Sequence, residues 1–347
     1  MTLKTDAPFL IGVIGLEHGH IYAMCEGLEQ AGARIVKVFD QDPEKVKAFT
    51  AKFKHAKAVT SEEEIYQDGS IRMVSSAAIP SERAGVGLTA MANEKHFFSA
   101  KAPFTTRAQL EEAKKKTAAT NLIWAVFYSE RLLEESAIYA SSLIEKGEIG
   151  EVVQVMGTGP HRVNAPTRPD WFFKKEQYGG ILCDIGSHQI EQFLHFTDST
   201  AAEVLHSKVG NYAHPDFPEL EDFGDATLVS EKGATHYFRV DWLTPDGLST
   251  WGDARTIILG TSGYIELRKN VDVARNEAGD HLYLVNQSGE HYINAEGKTG
   301  YPYFSALLYD CEYGTETAMS QEHAFKAAEL SLIAQEQAKE LKANVRG

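Results

Sequence analysis

The sequence predicts two different halves, an N-terminal α/β half with a doubly wound parallel sheet and a C-terminal α+β half with a mostly antiparallel open sheet. Three observations support this. Short apolar segments alternate with helix-forming segments in the first part of the chain. Later strand-like segments are separated by turn-rich stretches instead. The length of 347 residues suits two domains better than a single core.

The first half begins with an apolar strand at residues 9–15 that ends in glycine. A helix at 21–30, stopped by Gly32, and a strand at 35–39 complete one β-α-β unit. The same alternation continues with helices at 43–53, 81–92 and 107–117 and strands at 73–77, 96–99 and 122–126. Because such crossovers are right-handed, this half is expected to be Rossmann-like.

The second half contains strand-like segments at residues 152–156, 226–229, 235–242 and 256–259. In the third of these, His236, Phe238, Val240 and Trp242 alternate with more polar residues, so one face is expected to be buried. The other face is a candidate subunit interface, and a solvated face is the alternative. We therefore expect a homo-oligomer, a dimer or a tetramer.

The domain boundary is expected near residues 126–129. Residues 1–127 would form the dinucleotide-binding domain, and 128–347 a substrate-binding and oligomerisation α+β domain. The tail at 321–342 is rich in helix formers without interior Gly or Pro. It is therefore predicted to be a helix that packs back on the rest of the protein.

Composition and charge exclude several classes of partner. The formal charge of -15 disfavours nucleic acid and anionic lipid, which are bound mainly through clustered Lys and Arg. No apolar stretch is long enough to span a membrane, so a cytoplasmic protein is expected. Cys25, Cys183 and Cys311 are far apart, which favours reduced, buried thiols and provides no zinc motif.

The segment after the first strand is the candidate cofactor loop, formed by Gly15, Leu16, Glu17, His18, Gly19 and His20. Its match to the dinucleotide fingerprint is incomplete, since Glu17 and His20 stand at the second and third glycine positions. A carboxylate near a pyrophosphate is repulsive. The alternative is a tight turn into a helix that binds no nucleotide.

Asp40 follows the second strand at the position where an acid accepts hydrogen bonds from the adenosine ribose. Residues 40–44 contain no Arg or Lys. An acid without a neighbouring base repels the extra phosphate of NADP, so NAD is expected and NADP is disfavoured. A solvated acid in a turn is the alternative.

Two later segments contain ionisable residues that are candidates for catalysis. Residues 96–103 read HFFSAKAP and place Lys101 just after a strand. Residues 179–191 read GGILCDIGSHQIE and contain Asp184 and His188. Together they resemble the Glu-Lys-Pro and Gly-Gly-x-x-x-Asp-x-Gly-x-His-x-x-Asp segments of the Gfo/Idh/MocA family of NAD(P)-dependent sugar and polyol oxidoreductases.

The resemblance extends over nearly the whole chain. Ile79-Pro80 is similar to the family's Thr-Pro, and residues 146–152 to its Gly-x-Ile-Gly-x-Val junction. The departures are Glu17 for a glycine, Ala100 for the acid before the lysine, Pro103 one residue late, and Glu191 for an aspartate.

The resemblance assigns Lys101, Asp184 and His188 to the reaction centre and adds Ile79, Pro80 and Lys101 to the cofactor contacts. His188 has the pKa range suited to accepting the proton of a secondary alcohol while hydride goes to NAD. Lys101 would hydrogen-bond the same oxygen, and Asp184 would orient Lys101 or His188. The alternatives are a structural histidine, a surface lysine and a helix-capping aspartate.

Substrate contacts are expected from the segment before the catalytic motif and from His188. A polyhydroxylated ring needs fixed donors and acceptors and a flat apolar face. A rim loop with a buried tryptophan is the alternative. The candidates are His161, Arg162, Asn164, Asp170 and Trp171.

Two other functions stay open. Glu17 in the phosphate loop motivates a non-catalytic sensor of a sugar or nucleotide on the same fold. The spacing of His188, Glu191 and His195 on one helix face motivates a metal-dependent lyase or isomerase. The resemblance includes no metal, so none is expected.

Overall fold

The structure is a computed structural model that describes residues 8–275 and 277–341. Its contacts divide the chain into two compact units. The first unit contains Met1–Phe127 and Tyr301–Phe325, and the second contains Tyr128–Gly300 and Lys326–Gly347. Residues Tyr301–Phe325 are therefore grouped with the first unit, whereas the domain expected from the sequence runs from 128 to 347 without interruption.

The first unit contains a six-stranded parallel sheet in the order β3-β2-β1-β4-β5-β6. Strands β4, β5 and β6 are buried at every residue, which explains their unbroken apolar character. This confirms the predicted Rossmann-like sheet. The strands are β1 (Phe9–Ile14), β2 (Ala33–Phe39), β3 (Lys57–Ala58), β4 (Met73–Ser76), β5 (His96–Ala100) and β6 (Trp124–Phe127).

Five helices of the first unit connect these strands. Proline is the first residue of both α2 and α4, where its missing N–H costs nothing. Helix α5 begins with a capping box between Thr106 and Gln109. The helices are α1 (His20–Gln30), α2 (Pro43–Lys52), α3 (Glu63–Tyr66), α4 (Pro80–Ala92) and α5 (Arg107–Ala118).

The helices of the second unit are mostly short. Two 3-10 turns, Ala165–Thr167 and Asp170–Phe173, lie in the loop between Pro160 and Lys175. None of the helices in the described part of the chain has both the length and the hydropathy needed to cross a membrane. The helices that lie entirely within the second unit are α6 (Ser129–Leu132), α7 (Glu135–Glu145), α8 (Lys175–Tyr178), α9 (Ile181–Asp184) and α10 (Gly186–Phe196).

The second unit contains a nine-stranded sheet in the order β16-β15-β12-β11-β7-β10-β9-β8-β17, with a separate hairpin of β13 and β14. Neighbouring strands are antiparallel except for β7 with β10 and β8 with β17, so the sheet is mixed and mostly antiparallel, as predicted. The strands are β7 (Val152–Pro160), β8 (Ala202–Gly210), β9 (Phe223–Ser230), β10 (Thr235–Asp241), β11 (Arg255–Gly260), β12 (Tyr264–Arg268), β13 (Val271–Asp272), β14 (Glu277–Ala278), β15 (His281–Asn286), β16 (Gly289–Asn294) and β17 (Lys339–Leu341).

One face of this sheet is covered by α10, which packs on β7 and β10. His236 and Phe238 are buried on that face, and the His236 ring stacks on Phe193 of α10 at 4.8 Å between ring centroids. On the opposite face, Met156 and Tyr237 are adjacent in register and exposed. The burial of alternate residues in β10 agrees with the alternation in the sequence.

The C-terminal segment differs from the single helix expected over residues 321–342. Two helices, α11 (Tyr303–Tyr313) and α12 (Gln321–Glu336), precede β17, which pairs in parallel with β8. Within the second unit, the carbonyl of Ser331 accepts a hydrogen bond from Cys183 Sγ. The predicted helix is therefore too long, because backbone pairing with a distant strand outweighs the helix propensity of Lys339–Leu341. Residue 342 lies outside the described residues.

Candidate active site

The candidate cofactor loop begins with a turn that only glycine can make. Gly15 has φ +84°, and a Cβ added there would lie 2.6 Å from the Cβ of Ala78. Gly15 N donates to Phe39 O at 3.0 Å, and Ala77 N donates to Gly15 O at 3.1 Å. The main chain therefore fixes the start of this loop between the ends of β2 and β4.

The rest of the loop leads into α1, whose first residue is His20. A Cβ added at Gly19 would stand in open space within the described part of the chain, so this glycine is not required for steric reasons as Gly15 is. The His18 and His20 rings lie 4.2 Å apart between centroids, and Leu16 is buried. The free N–H groups at the start of a helix attract phosphate, so α1 provides one element of a dinucleotide site.

Asp40 lies directly after β2, and both oxygens of its carboxylate accept backbone hydrogen bonds. Leu16 N donates to Oδ2 at 2.6 Å, and Asp42 N donates to Oδ1 at 2.8 Å. Each carboxylate oxygen keeps a second lone pair, which remains available to a ribose hydroxyl. Asp40 therefore holds the loop in place at the position expected for a ribose-binding acid.

A pocket at this edge of the parallel sheet brings together four of the predicted cofactor residues, Gly15, Glu17, Asp40 and Ile79. Glu62 and Glu82 also line it, so four carboxylates surround one cavity. Burial raises the pKa of Glu82, and the charges of Glu17, Glu62 and Asp40 raise it further. The carboxylates around Asp40 therefore disfavour an additional phosphate at the expected ribose position. Pro80, the remaining predicted contact here, is buried as the first residue of α4.

Lys45 corrects the expectation that no base lies near these acids. Its Nζ lies 2.5 Å from Glu17 Oε1, and both side chains are partly exposed. Lys45 follows directly after residues 40–44, the stretch without Arg or Lys, and it lies on the first turn of α2. Glu17 is therefore paired with a cation, which reduces the repulsion expected from its carboxylate.

Lys101 is buried and follows the last residue of β5. The peptide bond between Lys101 and Ala102 is cis. Arg83 of α4, which is fully buried, donates from its guanidinium to the carbonyls of Lys101 and Ala102 and from Nε to that of Ala78 at 2.7 Å. Arg83 thus holds the main chain around Lys101 at the carboxyl end of the sheet.

Asp184 and His188 lie in two consecutive helical segments of the second unit. Asp184 is the last residue of α9, and the residue at the N-cap position of α10 is Ile185, which makes no side-chain cap. Burial lowers the pKa of Arg168, and the charge of Asp184 opposes this shift. The Asp184 carboxylate is therefore an electrostatic neighbour of Arg168.

His188 is buried near the start of α10, with its ring edge-on to that of Tyr128 at 6.2 Å between centroids. Helix α10 can approach β7 closely because Gly157 has no side chain. A Cβ at Gly157 would lie 1.8 Å from the side-chain oxygen of Gln189. The close approach fixes the position of α10 and therefore of His188.

Two other residues of α10 have partners that argue against a metal site. Glu191 is fully buried and accepts from Arg131 Nε at 2.8 and 3.1 Å. His195 Nε2 lies 2.8 Å from Ser141 Oγ. Within 8–275 and 277–341, no three His, Cys, Asp or Glu side chains are grouped so as to hold a metal ion. The spacing of His188, Glu191 and His195 therefore does not bring three possible ligands together in the described residues.

The predicted substrate residues lie between β7 and α8. His161 has its ring against Trp242, and Trp171 is buried next to Phe172. The side chains of Asn164 and Asp170 are exposed. Arg162 donates to the carbonyls of Pro245 at 3.0 Å and Leu248 at 2.6 Å, so its guanidinium holds a neighbouring loop.

Arg168, which was not among the predicted site residues, organises the same segment. Its guanidinium lies over the rings of Phe172 at 4.4 Å, Trp251 at 4.9 Å and Trp242 at 5.2 Å. Its Nε also donates to Val163 O at 2.8 Å. Trp is the ring that binds a cation most strongly in contacts of this kind. An arginine among scattered tryptophans is a weak signal, because only the fold brings these rings together.

The parallel sheet, its glycine turn and the acid after its second strand define a class of protein, the NAD(P)-binding Rossmann-fold oxidoreductases. The model of the oxidoreductase family with an NAD-binding Rossmann fold matches residues 9–128, and that of the GFO/IDH/MocA C-terminal domain matches residues 138–266. The chain belongs to the Gfo/Idh/MocA family, as its motifs predicted.

Solved structures agree with this assignment. A proposed oxidoreductase from Erwinia carotovora atroseptica SCRI1043 is 49% identical, with 96% of this chain and 99% of that chain covered and a TM-score of 0.94. Levoglucosan dehydrogenase in complex with NADH is 16% identical over 96% and 98% of the two chains, with a TM-score of 0.78. A 3-ketoreductase from Actinomadura kijaniata in complex with NADP and TDP-benzene is 15% identical over 97% and 99%, with a TM-score of 0.76. The last two likenesses concern the fold alone. No curated protein matches the sequence.

Proposed function

We propose that this chain is an NAD-dependent dehydrogenase that oxidises a secondary alcohol of a sugar, inositol or related polyol. The observation that carries the choice of NAD is the pocket lined by Glu17, Asp40, Glu62 and Glu82. The 2′-phosphate of NADP would add negative charge to a cavity that already contains four carboxylates. Levoglucosan dehydrogenase, solved with NADH and with L-sorbose, supports a carbohydrate substrate by analogy of fold.

The residues present fit a dinucleotide. Gly15 makes the tight turn that begins the loop, and the Asp40 carboxylate is held by two amides at the position expected for a ribose-binding acid. NAD, when bound, supplies the hydride acceptor for the oxidation. The remaining task of the protein is to bind the alcohol and accept its proton.

We assign that proton to His188, because an imidazole exchanges a proton near neutral pH. Lys101 donates a hydrogen bond to the reacting oxygen and stabilises developing negative charge there. Asp184 is a positioning residue that orients one of these two side chains. The substrate ring is bound by polar groups and the tryptophan face of the segment between β7 and α8, with His161 and Trp171 as the leading candidates.

The test is to titrate the purified protein with NAD and NADP and then to follow NADH absorbance with a panel of sugars, inositols and polyols. We expect tighter binding of NAD and turnover of at least one polyol. Binding that is equal or tighter for NADP would contradict the cofactor assignment. NAD binding without turnover of any substrate would favour the second candidate, a non-catalytic sensor motivated by Glu17 in the phosphate loop.

We also propose that the chain forms a homo-oligomer through the open face of the nine-stranded sheet. Met156 is paired in register with Tyr237 on one side and Ile257 on the other, and all three side chains are exposed. Contiguous apolar surface of this kind is typical of protein interfaces. Light scattering at micromolar concentration should give a dimer or tetramer, and Met156→Glu should lower the mass. A monomeric mass for the unmodified protein would contradict this proposal.

A further inference from the structure

The ion pair between Lys45 and Glu17 joins the two elements that surround the expected ribose position. Glu17 belongs to the loop after β1, and Lys45 to the first turn of α2, which begins shortly after Asp40. The distance from Nζ to Oε1 is 2.5 Å, and the side chains are 32% and 20% exposed. Because Glu17 and Asp40 line the same pocket, Lys45 brings a positive charge to its rim.

A cation at this position has one clear chemical use. NADP differs from NAD by a phosphate on the adenosine ribose, and a basic side chain near the end of the second strand is what accommodates that phosphate. A lysine on the first turn of the following helix has the length and the three donors to reach it. In this structure the Lys45 ammonium is instead directed at the Glu17 carboxylate.

We propose that Glu17 is a specificity-determining residue, because its ion pair withholds Lys45 from the 2′-phosphate and thereby selects the dinucleotide without that phosphate. The inference rests on the proposed preference for NAD and names the residue that enforces it. A glycine at position 17, as in the family pattern, would leave Lys45 available to the phosphate.

The other charges at the pocket do not replace this role. The oxygens of Asp40 accept from the amides of Leu16 and Asp42, and Glu62 and Glu82 lie among the pocket residues without an ion pair to Lys45. These three carboxylates remain when Glu17 is neutralised. A gain in NADP affinity after that change would therefore arise from the released lysine as well as from the lost charge, and a second substitution separates the two causes.

The experiment compares dissociation constants for NAD and NADP in the full-length protein and in Glu17→Gln, Lys45→Met, the double variant and a control. Glu44→Gln is the control, because it removes one carboxylate and frees one lysine, Lys47, on the same helix where both side chains are largely exposed. Glu17→Gln should raise the affinity for NADP relative to NAD about tenfold, the usual scale for one charge-assisted hydrogen bond. Lys45→Met and the double variant should not show this gain.

The outcomes distinguish this inference from the proposed function. An unchanged ratio in Glu17→Gln, the same gain in the double variant, or the same gain in Glu44→Gln would each overturn the role of the ion pair while NAD binding by the unmodified protein still supported the proposed function. An unmodified protein that binds neither dinucleotide would overturn both. If Glu17→Gln does not fold, Glu17→Gly takes its place, since it releases Lys45 in the same way and should raise the affinity for NADP relative to NAD; an unchanged ratio in that variant would overturn the role of the ion pair.

Discussion

The phosphate loop of the first unit and helix α10 of the second are built in opposite ways. The loop is held by main-chain hydrogen bonds from Gly15 and Ala77, and its Glu17 side chain lines a pocket and is partly exposed. In α10, ten of eleven residues are buried, including His188 and Glu191. The position of this helix therefore depends on the packing of its side chains. Apart from Gly15, whose turn requires glycine, a loop of the first kind tolerates new side chains, whereas a buried helix does not.

This difference separates three kinds of effect. Changes around the loop should alter affinity for the dinucleotide and little else. Changes on α10 should alter either turnover or stability, depending on whether the side chain performs chemistry or balances a buried charge. Substitutions in the loop should therefore be detected by dinucleotide titration, and substitutions in α10 by turnover or by unfolding.

The largest effect is expected from His188→Asn. Removing the proton acceptor should lower turnover by roughly 10²–10⁴, the usual scale for a positioned acid–base group. The dissociation constant for NAD should stay near its original value, because the pocket residues belong to the first unit. Turnover on the best substrate and NAD titration of the same preparation provide the measurement.

His195→Asn is the matched control, since His195 lies on the same helix with its Nε2 at Ser141 and not at the proposed centre. It should keep most of the turnover. If His188→Asn remained folded, bound NAD and turned over at nearly the original rate, the acid–base assignment would be lost.

The second prediction concerns the buried ion pair of Arg131 and Glu191. Glu191→Gln leaves the buried guanidinium without its counter-charge, and removing one partner of a buried pair costs about 3–5 kcal/mol in the free energy of unfolding. The side chains are 10% and 0% exposed. Urea denaturation measures the loss.

Asp198→Asn removes one carboxylate from an exposed pair with Lys232 in the same unit and should leave the urea midpoint almost unchanged. Equal losses in the two variants would show that burial does not set the cost.

The third prediction is a dependence of stability on pH. Burial raises the pKa of Glu134 to about 8 although Lys269 lowers it, with Glu130 and Asp280 as the other charged neighbours. The folded state therefore holds this proton more tightly than the unfolded state, and that contribution is lost as pH rises from the ordinary value of 4.5 through 8.

Urea midpoints across this pH range should fall less steeply in Glu134→Gln than in the unmodified protein, because glutamine does not titrate. Glu145→Gln, at the exposed end of α7, the helix that Glu134 precedes, should keep the original slope. Identical slopes in all three proteins would remove Glu134 as the cause.

Most of the parallel sheet could be predicted because its strands are buried on both faces and appear as continuous apolar runs. The expected helices of the first unit agree with the observed ones to within one residue at each end, and the expected strands to within two. Strand β3 was not predicted, since it has two exposed residues and no pattern. In the second unit, β8, β12 and β16 contain exposed residues and, like β15, were not recognised.

The residues of the candidate site could likewise be predicted only in part. Gly15 and Asp40 could be located because each follows a recognisable strand. The pairing of Lys45 with Glu17, of Arg131 with Glu191 and of Arg168 with three aromatic rings depends on segments brought together by the fold. Sequence spacing contains no information on such contacts. The charged residues could therefore be identified from the sequence, but the partner that neutralises each charge could not.

The late position of Tyr301–Phe325 and of β17 has a consequence for how the chain matures on the ribosome. The first unit includes Tyr301–Phe325, and the sheet of the second unit ends with Lys339–Leu341 alongside β8. Multidomain chains commonly fold their N-terminal domain while synthesis continues. Here a nascent chain of 300 residues would lack α11 in one unit and would expose the β8 edge in the other. An unpaired strand edge promotes aggregation, so ribosome-bound intermediates of this protein should depend on chaperones until Lys339–Leu341 have emerged.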